Sequence, residues 1–335
     1  MRRIHIMNRL YIIIICLLSK ISLYGQILIE GEKVAVPDIG VVKIYNYPEG
    51  NLDTIIAAQG YNRLISYNTN RSELYAAGND YMHRIDMKTK KTTSLFVKEK
   101  EADEKTSSGP DEIRLMGLNA NGIAAYGKGI EKKKVLLYDC KSMTKSKILT
   151  FDSPILNIWL QDEGYVTNHG KSIQKRTIDT NEIIKEYITV ENNDKLSIID
   201  WGKYIVLLRF ISVDIGDPPA YHHELKFVNK ETSTIAQSKN VTFHDTQSII
   251  SLFTFNSLIA DPPVFGFKHF KGTKPIDVSY FKIYKDIDKS EYINTIEGPE
   301  GMIVLNKNLV MFKYKNKLEF REIDTWDIVC TIDTF

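Results

Sequence analysis

Cysteine, long apolar runs and helical periodicity are what this 335-residue chain has least of. Its three cysteines are Cys16, Cys140 and Cys330, too few for a disulfide framework to carry the fold. With 43% hydrophobic residues, a core must hold it together instead, and the length allows one large repeat domain or two ordinary ones. No stretch keeps a 3.6-residue period, which sets helical bundles aside. There is no Gly-x-Ser-x-Gly elbow of the serine hydrolases, and no glycine-rich phosphate loop leading into a helix. Charge of either sign is not in excess: the formal balance is +2, without the pull toward nucleic acid or acidic membranes that a basic protein would exert.

The longest apolar run, Leu10 to Leu18 ("LYIIIICLL"), falls short of the roughly 20 residues needed to span a bilayer. Arg2, Arg3 and Arg9 surround its start, and Ser22, Leu23, Tyr24 and Gly25 follow it. A basic start, a short apolar centre and a small residue at the end predict a secretory signal peptide over residues 1–25, cut between Gly25 and Gln26. The rival is an uncleaved anchor. Cleavage would remove Arg2, Arg3, Arg9 and Lys20, leaving 40 basic residues against 42 acids, a balance of −2. The mature chain, residues 26–335, is then expected to be one exported domain with no membrane span, whether periplasmic, on the cell surface or secreted.

Beyond Gly25 the chain reads as short strands: runs of β-branched and aromatic residues bounded by Gly, Asn, Asp and Pro. A hairpin recurs, with two apolar strands around a polar turn. Examples are "YMHRIDMKTKKTTSLFV", "VLLYDCKSMTKSKILTF", "HELKFVNKETSTIAQ" and "LEFREIDTWDIVCTI". Asn46, Asp86, Asp139, Asp179, Asn229, Asp286 and Asp324 mark seven such turns at a mean spacing of about 46 residues. Two further strands precede most of them. Four antiparallel strands per unit at this period predict an all-β fold, a β-propeller, whose small sheets bury their apolar faces against neighbours and close into a ring. The count gives seven blades, with six as the alternative. A pair of β-sandwiches is the competing architecture. Cys140 and Cys330 fall in repeats three and seven, which would not touch, so no disulfide is expected between them.

The Asp-x-x-Thr hairpins resemble those of YVTN and WD40-type propellers. The signal peptide with "SSGPDEI", Ser107 to Ile113, resembles the secreted bacterial TolB-like propellers, a family of six blades. The resemblance implies a binding role and transfers no catalytic residue.

In a propeller the connections from second to third strand, and from fourth strand to the next blade, lie on one face. Five segments longer than the fold needs fall there: Lys98 to Glu112, Tyr126 to Lys134, Asp214 to Glu224, Asn240 to Gln247 and Asp261 to Asp277. Long connections on a rigid scaffold are where binding concentrates. Two of them carry Asp-Pro-Pro, which stiffens a turn. The predicted binding face therefore comprises Asp214, Asp217, Tyr221, His222, His223, His244, Asp245, Phe265, Phe267 and His269. Aromatic side chains beside polar ones suit a protein, peptide or glycan ligand. A metal ion would need three or four of the histidines and acids to converge. His222 and His223 are adjacent on an extended segment and point to opposite sides, so no metal and no cofactor are expected. The reading is an exported binding module rather than an enzyme. Its rival is an extracytoplasmic hydrolase or lyase with acids and histidines at the channel mouth.

Overall fold

The computed structural model describes residues 27–30, 32–97, 113–128, 133–161, 164–170, 172–189, 196–214, 216, 220–244, 251–252, 264–271, 278–284, 294–299, 301–305 and 307–334. The expected signal peptide, the segment Lys98 to Glu112 and the marker Asp286 lie outside them. Every regular element described is a β-strand, and every pairing is antiparallel.

The chain opens with a six-stranded sheet in sequential order: β1 (Ile27–Ile29), β2 (Lys33–Asn46), β3 (Leu52–Asn68), β4 (Glu73–Gly78), β5 (Tyr81–Asp86) and β6 (Thr92–Phe96). Five four-stranded blades follow. The first is β7 (Ile113–Leu118), β8 (Ile123–Lys128), β9 (Lys134–Asp139) and β10 (Thr144–Thr150). The second is β11 (Asn157–Leu160), β12 (Gly164–Asn168), β13 (Ser172–Thr177) and β14 (Ile183–Thr189). The third is β15 (Leu196–Trp201), β16 (Tyr204–Asp214), β17 (Ala220–Asn229) and β18 (Ile235–His244). The fourth is β19 (Ser251–Leu252), β20 (Phe265–Lys271), β21 (Val278–Tyr284) and β22 (Asn294–Glu297), and the fifth is β23 (Gly301–Val304), β24 (Leu309–Lys313), β25 (Lys317–Glu322) and β26 (Ile328–Asp333).

This corrects the expected count of seven blades, and the alternative of six, to five. The discrepancy arises at the N-terminus, where the first two repeats do not form separate four-stranded blades. The 17-residue β3 pairs through residues 52–61 with β2 and through residues 62–68 with β4, so the two repeats share a strand. Midway, Gly60 adopts φ +86°, and a Cβ there would stand 2.9 Å from the Tyr81 ring. The sheet is creased: Ile29, Ala35, Val42, Ile44, Ile56 and Ala58 of one half pack on Ile65, Tyr67, Leu74, Ala76 and Ile85 of the other.

Apolar clusters run from sheet to sheet around a closed ring. Tyr75, Ala77 and Met82 meet Ala124, Tyr126 and Leu136 of the first blade. Val135 and Leu137 meet Ile155, Ile158 and Tyr165, and Val166, Ile173 and Tyr187 meet Ile205, Leu207 and Val228. Val206, Leu208, Leu225 and Phe227 share a cluster with Val264 and Ile283 and with Met302, Val310 and Phe312. Ile303, Leu309, Met311, Phe320 and Ile332 then pack on Val34, Val36 and Tyr45, joining the last blade to the first sheet. Central strands buried on both faces read as continuous apolar runs, as in "VLLY" (Val135 to Tyr138). Cys140 and Cys330 are both buried and free, in different clusters.

The repeated hairpin turns share one design. In those described, an opening residue accepts or gives backbone hydrogen bonds across the turn, and the residue four later sits in the left-handed region. Asp86 Oδ1 accepts from the amides of Lys88 and Thr89, and Lys90 has φ 58°. Asn229 Oδ1 accepts from those of Glu231 and Thr232, and Ser233 has φ 58°. Asp139 accepts from the Lys141 amide ahead of Met143 at φ 56°. A short acceptor side chain at the first turn position is what this backbone wants. Two of the sequence markers are displaced by two residues: the turns marked by Asp179 and Asp324 open at Thr177 and Glu322, with Asn181 and Trp326 left-handed.

Candidate functional site

The third blade is built on a different scale from the other four. Its strands β16, β17 and β18 have 11, 10 and 10 residues, whereas among the described residues the strands of the other blades reach at most 7. Among the described residues, β15 pairs with β16 from Tyr204 to Arg209. The five residues from Phe210 to Asp214 therefore continue beyond that pairing for about 16 Å at the usual strand rise. β17 and β18 accompany them as far as Ala220 and His244. The result is a three-stranded overhang at the end of the blade where the β16–β17 connection lies.

This revises the expected loops. Most of Asp214 to Glu224 is strand, as are Asn240 to His244 and Phe265 to Lys271, and Tyr126 to Lys134 is strand at both ends. Runs such as "AYHHELKFVN" satisfy their backbone groups best in a ladder, and pairing with β16 and β18 extends to Ala220. Of the predicted binding residues, Asp214 ends β16, Tyr221, His222 and His223 lie on β17, His244 ends β18, and Phe265, Phe267 and His269 lie on β20. Asp217 and Asp245 lie outside the described residues, and Tyr221, His244, Phe265, Phe267 and His269 are placed by their backbones alone.

A bulge at Ile211 decides how the overhang is faced. The pairing passes from Phe210↔His223 directly to Ser212↔His222, leaving Ile211 extra. Without the bulge, Asp214 would share the face of Phe210; with it, Asp214 comes round to the face of His222. There His222 Nε2 lies 2.9 Å from Asp214 Oδ2, and His222 Nδ1 lies 3.0 Å from Thr242 Oγ1. The row continues down the same face through Glu224. Its carboxylate receives Lys226 at 2.9 Å and the Ser238 hydroxyl at 3.0 Å, with Arg209 at 4.0 Å. Burial pulls the Glu224 carboxyl up, but the hydrogen bonds and charges of Lys226, Ser238 and Arg209 outweigh it and hold it below its ordinary value.

The opposite face is apolar. His223 is buried and meets the Phe210 ring edge-on at a centroid distance of 5.5 Å. Phe210, Ile211 and Val213 are 44%, 50% and 40% exposed, apolar side chains left in solvent, and Phe210 and Val213 lie across the sheet from the polar row. Sequence reasoning missed these three and Thr242. The alternation within "RFISVD" reads as strand, with the expected loop starting only at Asp214; the sequence does not show that this strand runs past its neighbour and leaves these side chains in water. Among the described residues no three His, Cys, Asp or Glu side chains come together as a metal site, and no helix is long and apolar enough to cross a membrane.

Comparison with solved structures gives the class of protein: a β-propeller. The chain is similar to Kuenenia stuttgartiensis hydrazine synthase, with a TM-score of 0.58 and 10% identity over 91% of this chain and 96% of that one. It is also similar to the dihydro-heme d1 dehydrogenase NirN in complex with DHE, at 0.53 and 10% identity over 93% and 67% of the two chains. A chain from the mitotic checkpoint complex gives 0.51 and 10% identity, over 88% and 84%. At this identity the likeness is one of fold alone. No protein-family model matches the sequence, and no curated protein matches it.

Proposed function

We propose that this chain is an exported β-propeller that recognises a protein, peptide or glycan ligand through the overhang of the third blade. The observation that carries the reading is the exposed apolar trio Phe210, Ile211 and Val213 on a strand extension the ring does not need, backed by the polar row of Asp214, His222 and Thr242. Extended strands cost ordering free energy, and a fold gains nothing in core burial from apolar side chains held in water. Apolar side chains held in water on a rigid extension are instead what recognition surfaces present. Export rests on the basic start and short apolar run of residues 1–25, which make residues 26–335 the mature domain.

The test is a screen of the mature chain against immobilised peptide and glycan libraries, repeated with the double variant Ile211→Ser, Val213→Ser. Binding should weaken about tenfold or more, equivalent to about 1.4 kcal/mol. Unchanged binding by a double variant of wild-type circular dichroism would remove the overhang from the reading. Mass measurement of the exported protein tests cleavage after Gly25.

A further inference from the structure

We propose that Ser153 and His169, on the second blade, form a nucleophile–base pair that takes up the acyl group of small carboxylic esters. Ser153 is exposed in the connection from β10 to β11, and His169 follows β12 in the connection to β13. In a propeller both connections belong to the same end of the ring as the overhang. Ser153 Oγ lies 2.9 Å from His169 Nδ1, and His169 Nε2 lies 3.0 Å from Thr167 Oγ1. Thr167 is fully buried and its hydroxyl donates to the Gln174 carbonyl at 3.4 Å. Its oxygen is then left to accept from Nε2–H, so Nδ1 carries the lone pair that faces the serine. A nucleophile in reach of a base whose other nitrogen is held by a third group is the arrangement that activates a hydroxyl.

The surroundings suit the task. The imidazole packs against the buried Phe151 ring at 5.6 Å, with the Arg176 guanidinium 5.3 Å above the same ring. Burial and then the Arg176 charge hold His169 below its ordinary value, so the neutral base is the resting form. The backbone of Ser153 and Pro154 and the charge of Glu186 act the other way and would steady the imidazolium once formed. Leu156, 51% exposed, lies beside Gly170, where a Cβ would stand 3.4 Å from Leu156 Cδ1. That gives a short acyl chain an apolar side chain beside the turn that carries His169. The Thr242–His222–Asp214 row has comparable distances, but its hydroxyl is only half-exposed on a flat strand.

In the acylation step a bond forms between Ser153 Oγ and the carbonyl carbon as the ester's bond to its alkoxide breaks. The serine proton passes to His169 Nδ1 and on to the departing alkoxide. Water, giving its proton to the same nitrogen, then attacks the acyl-serine, releasing the carboxylic acid and restoring the hydroxyl.

The test uses the mature chain with p-nitrophenyl acetate, followed by peptide mapping, and a fluorophosphonate, which phosphonylates the serine with loss of fluoride. Acetylation and labelling should map to Ser153, vanish in Ser153→Ala and slow about 10²-fold in His169→Gln. The labelling rate should rise with pH and level off below about 6.5, because His169 titrates low. Thr167 acts as a positioning residue: Thr167→Val should lose labelling and Thr167→Ser regain it. Labelling no faster than that of the urea-unfolded chain, or unchanged in Ser153→Ala, overturns the proposal.

Discussion

His83 shows how much a single position can be asked to do inside a blade. It is fully buried on β5, with Nδ1 2.8 Å from Ser94 Oγ and Nε2 2.8 Å from the Gln59 carbonyl. Burial lowers its pKa, and the Gln59 carbonyl only partly offsets this. The folded state therefore refuses a proton that the unfolded chain accepts. Above the unfolded value of about 6.5 both states are neutral and stability is full; as pH falls through that value stability is lost. Urea midpoints should fall between about pH 7 and 5, less steeply in His83→Gln. His169 acts with the same sign. At Cys140, burial, then the Asp139 charge, pushes the thiol up to about 12, so it should resist alkylation at neutral pH until the chain unfolds. Thiol counting with and without denaturant reads this directly.

At the scale of the element, the hairpin turns were legible because their chemistry is local. An Asp or Asn that caps the turn with its own side chain signals itself in the sequence, as Asp86, Asp139 and Asn229 do. Asn229→Ala should cost about 1 kcal/mol in urea unfolding, and Asn229→Asp much less, since it keeps the acceptor. Where the opening residue is Thr177 or Glu322, the marker falls instead on the Asp two residues on, because neither Thr nor Glu is the short Asp or Asn acceptor that announces the other turns. The overhang was legible only as an irregularity. Asp214 to Glu224 reads in the sequence as a connection that carries Asp214, Asp217, Tyr221, His222 and His223 of the predicted binding face. Pairing on both sides of β17 decided otherwise, and the bulge at Ile211, which no residue type announces, set which side chains meet His222.

Over the whole molecule, closure is the decisive contact. Phe320 and Ile332 of the last blade pack with Val34, Val36 and Tyr45 of the first sheet, and the turn at Gly50 lies against β26, with a would-be Cβ 2.8 Å from the Thr331 carbonyl. Phe320 is fully buried, so Phe320→Ala should cost about 3–5 kcal/mol. The cost should spread across the closure: hydrogen exchange of the β2 amides should quicken along with those of β25. Exchange confined to the last blade would show that the ring is not cooperatively closed.

Strand content, hairpin period and propeller class followed from the sequence itself, because alternation, turn residues and repeat length are properties of neighbours along the chain. The blade count did not. Seven hairpin units are written in the text, yet five four-stranded blades form. Whether two adjacent units share a strand depends on pairing along both parts of β3 and on a crease at Gly60 against Tyr81, contacts between residues distant in sequence. The faces of the overhang were likewise settled only in three dimensions. A one-residue register shift moves every side chain beyond it to the other side of a sheet, and register belongs to the pair of strands, not to either one.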